Sequence, residues 1–293
     1  MLHGIDISNW QRGINIYGVD ADFVICKATE GVGFIDSTFY GFADATLDSG
    51  KLLGAYHFAR TNDAIAEAEA FISVVKPYLG KCLLALDFEA DAVGNGVWWA
   101  KEWLDHVKEK TGITPVIYMS KSVCRQYDWS PVASEYPLWG AQYASDNPMG
   151  YDNDPWTDGY GWGAWSWPDI YQYSSSGDIL GYSGRLDINN FYGNKDEWIF
   201  LGGEDDMQLS DMILDNTVRM PDGVSYYNVA NCLYTAADKS FEILDAVKAV
   251  DEKVNNIATP NVEVNVDIDA IAEKVAEKIA PIILDKLVER LKE

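Results

Sequence analysis

Residues Leu83 to Asp91 read LLALDFEAD, an apolar run that ends in acids two positions apart. Successive side chains on a strand point to opposite faces, so Ala85, Asp87 and Glu89 share one face and Leu84, Leu86 and Phe88 the other. At ~3.3 Å per residue the Cα atoms of Asp87 and Glu89 stand roughly 6.6 Å apart. Like charges that close raise at least one pKa, and a carboxyl kept protonated near neutral pH is what a general acid requires. Two solvated acids at a strand end account for this segment alone equally well.

Working outward, seven further apolar runs resemble it: Leu2–Ser8, Phe23–Thr29, Leu52–Ala59, Pro115–Ser120, Leu138–Tyr143, Ile170–Ser175 and Gly184–Phe191, with the quoted stretch itself forming an eighth, Cys82–Ala90. Many are bounded by Gly, Pro, Asp or Asn and rich in Val, Ile, Leu and aromatics, which predicts strands. Helices are expected between them, most clearly over Ala64–Val75 and Gly96–Thr111, where Trp99, Trp103 and Val107 recur at helical spacing. Eight strands interleaved with helices predict an α/β fold, an eight-stranded β/α barrel with a parallel core and an incomplete helical ring. The Gly-, Asp-, Pro- and Trp-rich stretch Asp146–Pro168 is expected to be a long loop near the barrel mouth.

Two more strand acids join the pair. GIDIS places Asp6 near the end of the first strand, with Ile5 and Ile7 facing the other way, and RLDINNF places Asp187 likewise on the last. First and last strands are neighbours in a closed barrel, and strand ends converge at its C-terminal mouth. Asp6, Asp87, Glu89 and Asp187 are therefore expected to face one hollow.

The strings GIDISNWQ, DFVICKATEG, GAYHFAR, LALDFEA, PVIYMS, LWGAQY, IYQYSS and RLDINNF, in that order, resemble the lysozymes of glycoside hydrolase family 25, over about residues 1–200. The resemblance implies a muramidase that cuts the β-1,4 bond from N-acetylmuramic acid to N-acetylglucosamine in bacterial peptidoglycan. It implies Glu89 as general acid and Asp87 as its partner, orienting the substrate's N-acetyl group in a substrate-assisted route with retention. Asp6 and Asp187 then tune the field or bind sugar or water. A catalytically silent peptidoglycan-binding barrel and a virion-associated structural protein are the alternatives; intact acids at all four positions count against the first.

Weaker candidates for substrate binding are Tyr56, Tyr118, Trp139 and Gln172, at strand phases that face the mouth, and the loop aromatics Trp156, Tyr160, Trp162, Trp165 and Trp167. His57 neighbours Tyr56 and is expected to point outward, toward a helix. Three scattered histidines and four cysteines without a CxxC spacing or a Cys/His cluster argue against zinc, so no metal or cofactor is expected. Cys26, Cys82, Cys124 and Cys232 read as reduced thiols, mostly buried.

Across all 293 residues, 22 Lys and Arg face 46 Asp and Glu, a formal charge of −24. Such a surface repels nucleic acid, anionic lipid and polyanionic polymers at long range. No apolar run is long enough to span a membrane, and the N-terminus lacks the basic and apolar stretches of a secretory signal. The expectation is synthesis in a host cytoplasm and action at the cell wall after release, as a phage endolysin for host lysis.

All eleven Trp lie between Trp10 and Trp198, and LGGEDD (Leu201 to Asp206) carries the only Gly-Gly pair. This places a catalytic domain at 1–200, a linker at 201–207 and a smaller all-α region at 208–293. There Leu233, Ala236, Ser240, Ile243, Val247, Val250, Val254 and Ile257 alternate spacings of three and four, as a coiled-coil seam does. A second stripe carries Ile268, Ile271, Val275, Ile279, Ile282, Leu287 and Leu291, with Pro260 before it and Pro281 inside it. The seam favours a homo-oligomer through these helices over wall binding or an intramolecular hairpin.

Overall fold

The computed structural model describes residues 1–203. The greater part of the expected linker and the whole helical region 208–293 lie outside the described residues. Strands β1 (Leu2–Ile7), β2 (Phe23–Glu30), β3 (Phe34–Ile35), β4 (Leu52–Phe58), β5 (Cys82–Asp87), β6 (Val116–Ser120), β7 (Leu138–Ala141), β8 (Ile170–Gly177) and β9 (Leu186–Phe191) form one sheet. Eight of them, in the order β1-β2-β4-β5-β6-β7-β8-β9, close on themselves because β1 pairs with both β2 and β9. The two-residue β3, which the sequence pattern did not reveal, folds back antiparallel on the end of β2.

The helices are α1 (Phe39–Asp48), α2 (Ala64–Val75), α3 (Val97–Thr111), α4 (Lys121–Gln126), α5 (Ser130–Ala133) and α6 (Lys195–Leu201). No α-helix lies between β1 and β2, β7 and β8, or β8 and β9, so the ring is incomplete as expected. Helix α2 has the bounds its sequence predicts; the Asp63 carboxylate caps it by accepting from the Ala66 N–H at 2.9 Å.

The barrel is not parallel throughout. β9 runs antiparallel to both β8 and β1, which corrects the expectation of a parallel core. The cause is the length of chain available: only residues 178–185 join β8 to β9, and a parallel crossover needs a dozen or more. The reversal matters for the site. Asp187 sits at the start of β9, not near its end, and the antiparallel register sets it directly opposite Asp6.

Alternation along the strands sorts side chains into two cores. Phe23, Ile25, Leu83, Ala85, Val116, Tyr118, Trp139, Ala141, Ile170 and Phe191 fill the barrel interior. Ile5, Ile7, Val24, Leu84, Leu86 and Phe88 face outward into the layer under the helices. Gly4 makes room for the interior, since a Cβ there would stand 2.3 Å from the Phe23 ring. His57 also faces outward, as expected: it is buried, with one ring nitrogen 2.8 Å from Thr29 Oγ1 and the other 2.8 Å from Glu67 Oε2, and burial lowers its pKa.

Helix α6 closes the bottom of the barrel. Trp198 packs against Phe23 and Phe191 with centroids 4.4 and 5.2 Å away, and its indole N–H donates to the Leu53 carbonyl at 3.1 Å. Replacing a fully buried aromatic by alanine costs about 3–5 kcal/mol. Trp198→Ala is therefore expected to lower the unfolding free energy by that order, and the denaturant midpoint with it. An unchanged midpoint in urea unfolding would show that α6 only leans on the barrel.

Candidate active site

The C-terminal ends of the parallel strands and the start of β9 surround a cleft of about 500 Å³. Asp6, Asp87, Glu89 and Asp187 all line it. The ladder of β5 ends at Asp87, but Phe88 N–H still donates to the Tyr118 carbonyl at 2.9 Å and Glu89 remains extended, at φ −142°. The alternation therefore carries through, and Asp87 and Glu89 reach the same cleft. Asp6 and Asp87 are buried, whereas Glu89 and Asp187 are half-buried at its wall.

A polar scaffold fixes Asp6. Its Oδ2 accepts from Gln172 Nε2 at 2.7 Å and from Asn189 Nδ2 at 2.8 Å. Both amides are themselves oriented: Gln172 Oε1 accepts from the Tyr118 hydroxyl at 2.9 Å and from Tyr143, and Asn189 Oδ1 accepts from Trp139 Nε1 at 2.8 Å. Asp87 has no such help, for its Oδ1 is buried without a hydrogen-bond partner.

Burial is the largest influence on all four acids, and it pushes every pKa up. Asp6 rises to about 6, with the Asn189 and Gln172 hydrogen bonds opposing burial and Glu89 adding to it. Asp187 rises to about 8 through burial and the charges of Asp6 and Glu89. Asp87 rises well above the ordinary range through burial, Glu89 and Asp6. Glu89 rises by burial against the pull of Lys27. A cluster of this kind retains protons at neutral pH and has one to donate.

Lys27 reaches the cleft from β2 and is held on its outer side. Its ammonium lies 2.5 Å from Glu30 Oε2 and 4.6 Å from the centre of the Phe58 ring. Arg60 grips Glu30 Oε1 through Nε at 2.9 Å and Nη2 at 2.5 Å, and reaches Asp91 at 2.9 Å.

Tyr56, Tyr118, Trp139 and Gln172, singled out from sequence, all line the cleft, although Gln172 spends its amide on Asp6. The loop aromatics do not. Trp162 is fully buried beneath Gly140 and under the Lys121 ammonium, and Trp165 is buried with its indole N–H on the Tyr136 carbonyl. Trp156, Tyr160 and Trp167 are exposed away from the cleft lining. That loop's rings clamp it to the barrel wall. The sequence reading missed Trp10, Lys27, Phe58, Tyr143 and Arg185 among the lining residues, and Asn189 behind Asp6. Asn189 was findable, since it lies two residues after Asp187 on the same face.

Residues 5–182 match the family described as Glycosyl hydrolases family 25. The Escherichia coli protein YegX, uncharacterised, is 32% identical over 184 residues, which cover 57% of this chain and 63% of YegX. The chain thus spans less than two thirds of that relative. The N,O-diacetylmuramidase of Chalaropsis sp. is 27% identical over 61% of this chain and 93% of its own. Among solved structures, the catalytic domain of an endolysin from a Listeria monocytogenes bacteriophage is 28% identical, with a TM-score of 0.57 over 69% of this chain and 98% of that domain.

The raised acids make stability depend on pH in a defined direction. A carboxyl whose folded pKa exceeds its unfolded value contributes most below about pH 4, and its contribution is lost as pH climbs through the folded pKa. For Asp187 that window runs from about 4 to about 8. Asp187→Asn is expected to melt close to wild type at pH 4 and about 2–8 °C higher at pH 9, for about 1–2 kcal/mol relieved. Parallel melting curves across that range would refute the shift.

Proposed function

Because the chain belongs to glycosyl hydrolase family 25, we propose that it is a lysozyme that hydrolyses bacterial peptidoglycan at the β-1,4 bond between N-acetylmuramic acid and N-acetylglucosamine. The observation that carries this reading is the convergence of four carboxyls, each with its pKa raised by burial, on one open cleft. The likeness to a named muramidase supports the choice of bond.

In the proposed reaction Glu89, half-buried at the cleft wall, gives its proton to the departing glycosidic oxygen as the bond to the anomeric carbon breaks. The substrate's own acetamido oxygen forms the new bond to that carbon. The partnerless Oδ1 of Asp87 supplies an acceptor for the acetamido N–H as positive charge spreads onto the ring. Glu89, now a carboxylate, takes a proton from water as the water's oxygen opens that ring, which restores the acid and retains the anomeric configuration. Asp6, fixed by Gln172 and Asn189, and Asp187 set the field that keeps the proton available.

The endolysin-type role rests on likeness to a phage endolysin's catalytic domain, with the cell wall as the place of action. Glu89→Gln is expected to clear a peptidoglycan zymogram about 10²–10⁴-fold less than wild type, with an unchanged melting temperature. Products should carry N-acetylmuramic acid at the reducing end. Undiminished clearing by the mutant would remove Glu89 as the acid, and another reducing-end sugar would change the bond.

For residues 208–293 the proposal is self-association through the seam of threes and fours. Sedimentation of the full chain is expected to give an oligomer and of residues 1–203 a monomer. Two monomers would end that idea.

A further inference from the structure

The mouth that must take up peptidoglycan is itself rich in carboxyl groups. Four acids line it in a chain of charge −24, and the glycan carries carboxylates on its muramic acid units. Two cations, Lys27 and Arg185, are among the lining residues. Lys27 is already matched, 2.5 Å from Glu30. Arg185 is exposed and, among the described residues, makes no ion pair or hydrogen bond.

Arg185 immediately precedes β9, two residues from Asp187 and therefore on the same side of that strand's path. The Asp187 carboxyl nonetheless rises to about 8, which a guanidinium in contact with it would prevent. Arg185 borders the open cleft without pairing to Asp187. Beside it, across the β1–β9 seam, stands Trp10, which lines the cleft and is 88% exposed. The two loops that carry these residues are tied where Asp20 N–H donates to the Leu180 carbonyl at 2.9 Å. A flat ring and an unpaired cation on one cleft match a sugar that bears a carboxylate: one takes the sugar's apolar face, the other its charge.

We propose that Arg185 is a specificity-determining residue that pairs with a carboxylate of the muramic acid units, on the peptide stem where one is attached or on the lactyl group where none is. This rests on the peptidoglycan reading above. Without Arg185 the cleft would offer an incoming polyanion no uncommitted cation among the described residues. Arg185 stands on the wall opposite β5, across the cleft from Asp87 and Glu89, so a contact there acts in the ground state as in the transition state. Loss of such uniform binding raises KM and leaves kcat in place.

The test compares full-length wild type and Arg185→Gln on three substrates: purified walls, the same walls with carboxyls converted to amides, and glycan strands stripped of their stems. Wild type is expected to show a KM about tenfold higher on amidated than on untreated walls, at nearly constant kcat. Arg185→Gln should show that higher KM on untreated walls already, and no further rise on amidated ones. A mutant defect on stemmed walls that vanishes on stripped strands assigns a stem carboxylate; one that is also seen on stripped strands shows that the lactyl carboxylate, freed when the stem is removed, is paired as well. Arg185→Gln indistinguishable from an active wild type on all three overturns this inference alone. Wild type that cuts none of the three overturns the peptidoglycan reading and this inference with it.

Discussion

The seam between β1 and β9 is a short antiparallel ladder, and on it Asp6 faces Asp187. Directly opposed residues of such a pair share a face, so one register places both carboxyls in the cleft. A slip of one residue would turn Asp187 to the outer layer, among the helices. A parallel β9 would carry it to the other end of the barrel. The ladder is secured from below, where Phe191 at its far end packs on Trp198, and from the side, where Asn189 in the same strand bonds to Asp6. Closure of the sheet and assembly of the acids are thus one event.

The cluster that results is costly by design of its position. Carboxyls withdrawn from water and set beside one another disfavour ionisation, and each one's charge raises the proton affinity of the next. The protein treats the four unequally. Asp6 receives two amide donors aligned by three aromatic side chains, whose polar atoms feed Gln172 and Asn189. Asp87 receives none on Oδ1, and burial drives it well toward the neutral form. Unpartnered buried oxygens are rare in folded proteins, and this one lies on the cleft lining.

Much of this was legible in the chain. Strict alternation in LLALDFEAD and GIDIS separates inward from outward residues correctly, because a strand buried on both faces leaves no other phase for its acids. The eight strand runs and helix α2 follow from apolar patterning and an Asp cap. What escaped depends on partners remote in sequence. The direction of β9 is set by the length of a connection and by its neighbours, not by RLDINNF itself. The Trp-rich loop reads as a sugar platform by composition, yet Gly140 opens a slot that swallows Trp162, and Lys121 is drawn in over that ring. Lys27, Phe58 and Arg185 carry no local mark, since their importance comes from the hollow they border.

The distribution of cations ties these points together. At the barrel mouth positive charge has two separate tasks that a single residue could not perform. Lys27, pinned by Glu30 and backed by Arg60, opposes burial at both Asp87 and Glu89, so their proton affinities are raised but bounded. A mobile ammonium would sample the cleft and neutralise the acids outright; the Glu30–Arg60 clamp and the Phe58 ring hold it at a fixed remove. Arg185 sits on the other wall with its charge unspent. Salt screening acts on exposed groups far more than on buried ones. Recognition through Arg185 therefore weakens as ionic strength rises, while the tuning of Glu89 by Lys27 persists, and the two functions are separable by salt alone.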